Sequence, residues 1–185
     1  VTALAVTGHM DLTEESVPAV RAALDELLAR YRDLDQDRDQ DRDWGQSWDR
    51  GSGKPLVGIS CIAKGADSLF AEAVLAVGGR LVVVVPSRDY RRSTVEPDDA
   101  PLFDRLAAAA DEVVVLPRER ADRQAYEAAN ALLLERADRL VAVWNGEPPS
   151  GRGGGTADLV LAARAAGIPV DVVWPEGAAR RADSR

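Results

Sequence analysis

The stretch "SCIAKGADSLFAEAVLAVGGRLVVVVP", residues 60–86, decides the fold. Its last seven residues, "RLVVVVP" (80–86), form an all-apolar, β-branched run after Arg80, the pattern of a strand covered on both faces. Before it, "GADSLFAEAVLAVGG" (65–79) reads as a helix that stops at a glycine pair. Ahead of that, "PLVGISCIA" (55–63) is a second β-rich run. Strand, helix and strand in this order imply two parallel strands joined by a right-handed crossover.

The same alternation extends outward in both directions. "ALAVTG" (3–8) reads as a short buried strand, and a helix is expected from Ser16 through "SVPAVRAALDELLARYRD". Beyond residue 86, a polar loop, "SRDYRRSTVEPDDA", precedes a helix near 101–111. Strand "EVVVLP" (112–117), a helix over 121–137 and strand "RLVAVWNG" (139–146) follow. A helix near 156–166 and strand "PVDVVWP" (169–175) complete the series. Six strand-like runs alternating with five helical ones predict an α/β fold, a Rossmann-like three-layer α/β/α sandwich with a mainly parallel sheet. Residues 1–176 are expected to form one such domain. A charged insertion is expected at 34–54, and a frayed tail at 177–185. Trp44 and Trp48 mark the insertion either as a solvated segment or as a lid or partner contact.

Composition narrows the class of function. With 31 acidic against 23 basic residues, the net charge of −8 disfavours a nucleic-acid partner and favours a small ligand. No apolar stretch approaches the ~20 residues of a membrane span, and no basic region precedes the first apolar run, so no membrane partner and a cytoplasmic location are expected. The single cysteine, Cys61, sits in an apolar run and reads as an inert core residue. One histidine and one cysteine make no metal cluster, so no metal and no resident cofactor are expected.

In an open parallel sheet, the strand-to-helix turns emerge on one edge, and ligands settle there. Four segments collect on that edge: "TGHM" (7–10), "SCIAKGAD" (60–67), "PSRDY" (86–90) and "WNGEPPSGRGGGT" (144–156). Gly153, Gly154 and Gly155 leave main-chain N–H groups open, and Thr156 can cap the helix that follows, an arrangement suited to phosphate or carboxylate. Asp158 either complements the helix dipole or accepts a hydrogen bond from a ligand hydroxyl. His9, after Thr7 and Gly8, is a ligand contact or a structural hydrogen-bonding residue. Lys64, beside Gly65 and Asp67, is a point charge for phosphate or a solvated side chain. Asn145 and Tyr90 complete the candidate ligand set.

These residues carry a resemblance. "SCIAKGADSLFAEAVLAVGGRLVVVVP" followed by "DY" resembles the S-x-x-A-x-G-x-D…A…GG signature of DprA/Smf-type proteins. "GGGTADLVLAARAAGIPV" is similar to the GGxGT segment of the Lonely Guy (LOG) phosphoribohydrolases, and "VTGHMDL" resembles a variant in uncharacterised bacterial members of the same SLOG superfamily. The resemblance spans roughly 3–175 apart from the insertion. It implies a pocket for a nucleotide or nucleotide-derived molecule, and it implies a homodimer, since LOG relatives commonly dimerise. In the LOG branch it further implies hydrolysis of the bond between base and ribose phosphate. That branch carries PGGxGTxxE, whereas here Leu159 stands at the glutamate position and Arg152 replaces the first glycine. Asp158 falls one position early, about 100° around the helix. Ala129 and Asn130 stand where LOG enzymes place an Arg-Lys pair.

Two functions follow. One is ligand sensing, with phosphate on the Gly153–Thr156 loop, ribose near Asp158 and Asn145, and base or second phosphate near His9, Lys64 and Tyr90. The other is an N-glycosidase in which Asp158 or Asp67 stabilises charge developing at the sugar and His9 assists proton transfer. Single-strand binding of the DprA kind meets the acidic balance, and a dinucleotide oxidoreductase meets "TGHMDL" where G-x-G-x-x-G is expected.

Overall fold

The computed structural model describes residues 1–40, 56–151 and 153–181. Six strands form one parallel sheet: β1 (Ala3–Gly8), β2 (Val57–Ser60), β3 (Arg80–Val85), β4 (Glu112–Val115), β5 (Arg139–Val143) and β6 (Val170–Val173). Their spatial order is β4-β3-β2-β1-β5-β6. The order reverses direction between β1 and β5, which creates a switch point where the flanking turns diverge and leave a crevice.

Helices α1 (Val17–Gln40), α2 (Ala66–Ala76) and α4 (Ala100–Ala109) cover one face of the sheet, with a one-turn helix α3 (Tyr90–Ser93) beside them. Val20, Leu24, Leu28, Phe70, Val74 and Leu106 pack there against Leu4, Val6, Leu81 and Val83. Helices α5 (Arg123–Arg136) and α6 (Thr156–Ala165) cover the other face, where Ala129, Leu133, Leu159, Val160 and Ala163 meet Ala5, Ile59, Val84 and Leu140. β3 is buried from Leu81 to Val85, as its unbroken apolar run requires, while the edge strand β4 alternates half-buried and exposed residues. The α/β/α sandwich expected from the sequence is the observed architecture.

Three local features depart from the sequence-based expectation. α1 does not stop near Asp33 but continues to Gln40, into the span expected as an insertion. Asp35 on this extension is buried and accepts hydrogen bonds from the Thr2 amide (2.5 Å) and hydroxyl (2.9 Å), pinning the helix to the start of β1. Trp44 and Trp48 lie outside the described residues. The polar loop after β3 contains α3, which buries Tyr90. The chain from Ala178 to Arg181, expected within a frayed tail, is tied to the segment after β1. Thr13 N–H donates to Ala179 O (3.0 Å), Ala179 N–H to Ser16 Oγ (2.8 Å), Arg181 N–H to Asp11 O (2.6 Å), and Leu12 bridges Arg180 in antiparallel fashion. The buried hydroxyl of Ser16 supplies the anchor that sequence patterning did not disclose.

Candidate functional site

The carboxyl ends of β1, β2 and β5 are drawn together by close main-chain approaches. A Cβ at Gly8 would lie 2.4 Å from the Ala66 Cβ and 2.8 Å from that of Val143, so only glycine lets β1 end against both α2 and β5. Gly65 adopts φ +83°, and a Cβ there would stand 2.7 Å from His9 O. Ala66 N–H donates to that same carbonyl at 3.2 Å. The glycines of "TGHM" and "KGAD" therefore act first as packing devices that lock two strand-end loops against each other.

Over these loops opens a cavity of about 550 Å³ at the switch point. Its floor is Val6, Thr7 and Gly8. One wall carries Cys61, Asp67, Tyr90 and Tyr126, and another carries Ala129, Asn130 and Leu133 of α5. Trp144, Glu147 and Pro148–Ser150 form the β5 side, while Gly154, Gly155, Thr156, Ala157 and Asp158 bring in the first turn of α6. Asp11 and Arg180 stand at the rim. Tyr90 and Tyr126 meet edge to face with centroids 6.4 Å apart, giving an aromatic wall.

Of the residues expected from sequence, Thr7, Gly8, His9, Asp67, Tyr90, Gly154, Gly155, Thr156 and Asp158 line this cavity. Lys64 and Gly65 do not; they border a smaller cleft of about 100 Å³ with Glu96 and Asp99. The Lys64 ammonium lies 3.3 Å from Asp99 and 3.9 Å from Glu96, so local carboxylates hold the charge expected to meet a phosphate. Gly153 also lies outside the wall, at φ +74° and packed beneath the Arg123 guanidinium, which a Cβ would meet at 2.7 Å. Asn145 sits behind the cavity. His9 Nε2 is 3.1 Å from both the Asn145 amide nitrogen and Oδ1, and Oδ1 also accepts from Glu147 N–H at 3.1 Å. The imidazole is buried and packs edge-on to Trp174 at 5.6 Å. Burial, with the nearby Arg180 charge, holds its pKa below the usual histidine value, so the ring is neutral near pH 7. His9 thus ties β1 to the β5 turn while it also borders the cavity.

Asp158 Oδ2 accepts the Gly155 N–H at 3.0 Å and closes the start of α6 while the residue borders the cavity. That bond consumes one of the amides expected for a ligand. Asp67, on the first turn of α2, behaves differently. Burial pushes its carboxyl up to about 7, against a hydrogen bond from the Ala63 backbone. Burial and the neighbouring Asp67 also raise the Cys61 thiol, which borders the cavity in its protonated form. The wall therefore holds a carboxyl that carries its proton part of the time near neutrality.

Sequence reasoning missed Tyr126, Trp144, Asp11 and Arg180. The first two sit on elements it found, and helical spacing from Ala129 places Tyr126 on the same face of α5. Arg180 had no such signal, because only the docking of residues 178–181 carries it to the rim.

No protein-family model and no curated protein sequence matches the chain. Its fold is similar to solved structures over 92% of its length. DNA processing protein A (DprA) from Streptococcus pneumoniae matches with a TM-score of 0.58 at 16% identity, and DprA from Helicobacter pylori with 0.58 at 15%. The structural-genomics target TM1055 matches with 0.52 at 17%. The chain spans 50% and 64% of the two DprA chains and 72% of TM1055. At these identities the likeness is one of fold, and it agrees with the Rossmann-like α/β architecture expected from the sequence.

Proposed function

We propose that this protein binds a nucleotide or nucleotide-derived small molecule at the carboxyl ends of its strands, in a ligand-sensing role. One observation carries the proposal: the first turn of α6, entered through Gly154 at φ +73°, faces the same cavity as the Tyr90–Tyr126 wall. A helix N-terminus suits an anionic group, and an aromatic wall suits a planar base. A cavity of about 550 Å³ is within the size range of small-molecule sites. Asn130 on α5 offers both a donor and an acceptor to a base edge or a sugar. On this reading the protein is a nucleotide-binding member of the SLOG superfamily, cytoplasmic, and dimeric like LOG proteins. The net charge of −8 speaks against carrying over the single-stranded DNA binding named for the Helicobacter pylori DprA structure.

A second reading, hydrolysis of a nucleotide N-glycosidic bond, has Asp67 in its favour: a buried carboxyl with a pKa near 7 in the cavity wall is poised as a general acid. Against it stand Ala129 and Asn130 at the positions of the LOG Arg-Lys pair, Asp158 engaged by Gly155, and His9 engaged by Asn145. Calorimetric titration with nucleoside 5′-monophosphates and NAD, followed by chromatography of the same mixtures, separates the two. Saturable binding with intact ligand supports sensing, released base supports hydrolysis, and no heat with any ligand removes both.

A further inference from the structure

The proposed ligand is an anion, yet four of the charged side chains lining the cavity are carboxylic: Asp11, Asp67, Glu147 and Asp158. Asp158 already occupies the Gly155 amide and adds negative charge to the helix start. Amides alone meet a phosphate there at an electrostatic disadvantage, so the site calls for a cation. Among the described residues that line the cavity, Arg180 is the one cationic side chain. Lys64, the sequence-based choice, is turned to Asp99 and Glu96 in another cleft.

Arg180 reaches the rim from the chain end beyond β6. Its Nε lies 2.9 Å from Asp11 Oδ1, and its Nη1 lies 3.7 Å from Glu147 Oε2. Those carboxylates belong to the turns after β1 and β5, the two strands that flank the switch point. They hold the planar guanidinium at the mouth of the cavity. Burial works to raise the Asp11 carboxyl, but Arg180 outweighs it and keeps the acid below the usual carboxylate range. Both ion pairs are at least one-third exposed, so an entering phosphate can compete for the same guanidinium at small cost.

We propose that Arg180 is the phosphate-recognising side chain of this cavity, and that the segment after β6 is thereby part of the binding site. The assignment rests on the nucleotide reading above. Main-chain bonds dock the segment: Thr13 N–H to Ala179 O, Ala179 N–H to Ser16 Oγ, and Arg181 N–H to Asp11 O. Removing the Arg180 side chain leaves all three in place, so its variants test recognition without undocking the segment.

The experiment titrates the full chain and its Arg180→Ala and Arg180→Lys variants with AMP, GMP, CMP and UMP and with the matching nucleosides, alongside thermal unfolding. Loss of a charge-assisted contact to phosphate should weaken monophosphate binding by roughly ten- to a hundredfold in Arg180→Ala. Arg180→Lys should fall between, nucleoside affinity should stay at the native value, and melting should be near native. Equal losses for nucleoside and monophosphate would make Arg180 a structural latch and overturn the assignment. Native binding with an unaffected Arg180→Ala overturns it as well while leaving the nucleotide reading intact. A native protein that binds no monophosphate overturns both.

Discussion

The imidazole of His9 and the amide of Asn145 meet 3.1 Å apart, joining the loop after β1 to the turn after β5. This bond crosses the switch point of the sheet and fixes the distance between two sides of the cavity. Removing the imidazole deprives the Asn145 main-chain N–H of its acceptor, whereas Asn145→Ala keeps that bond and loses only the Oδ1 contacts to Nε2 and Glu147 N–H. His9→Ala should lower stability by about 1–3 kcal/mol and Asn145→Ala by less, with the double variant below the sum, read by denaturant unfolding as a double-mutant cycle.

The same histidine has a pH signature. Its folded pKa is depressed by burial and by Arg180, so the unfolded chain takes up its proton first. Its contribution is complete above the ordinary value of 6.5 and is lost as pH falls from there through the lower folded pKa. Stability measured between pH 7 and pH 5 should fall less steeply in His9→Gln than in the native protein.

Asp67 acts in the opposite direction. Its folded pKa of about 7 exceeds the unfolded value of 3.8, so the folded state holds the extra proton between them. The ionised carboxyl therefore costs stability on the order of a few kcal/mol, fully above about pH 7 and not at all below about pH 4. Asp67→Asn should be more stable than the native protein at pH 8, with the gain vanishing toward pH 4. An N-glycosidase using this acid would lose turnover in the same variant, whereas a sensor would retain binding.

Gly8 and Gly154 separate packing from recognition. Gly8→Ala drives a methyl into Ala66 and Val143, and should cost about 1–3 kcal/mol or more with a matching fall in melting temperature. At Gly154 a Cβ meets nothing within 4 Å, so the burden is the φ of +73°, about 1–2 kcal/mol for a side chain in that region. Gly154→Val should melt only slightly below native while weakening monophosphate binding at least tenfold; unchanged affinity would detach the loop from the site.

Most of the framework was legible because β-branched runs such as 80–86 admit few alternatives, and parallel strands force their turns onto one edge. The same logic brought Thr7, Gly8, Asp67, Tyr90 and the α6 turn to one edge, where they line a common cavity. It failed where side-chain direction decides. Lys64 follows a strand end as expected, but Asp99 and Glu96, more than thirty residues away, capture its ammonium. It failed also where a segment has no apolar period. Residues 35–40 are charged and polar, yet they continue α1, with Asp35 tied to Thr2. Arg180 was beyond reach for a related reason: its place depends on Ser16 and Asp11, both far away in sequence.

The central claim is that an anionic, nucleotide-derived ligand seats its charged group at the start of α6. It is tested most directly by following the amide signals of isotopically labelled protein during titration with a nucleoside 5′-monophosphate. Saturable shifts of Gly154, Thr156 and Ala157, with a smaller response at Asn130, are the result expected. A bound monophosphate that leaves those amides unmoved, or that perturbs only the Lys64 cleft, would contradict it.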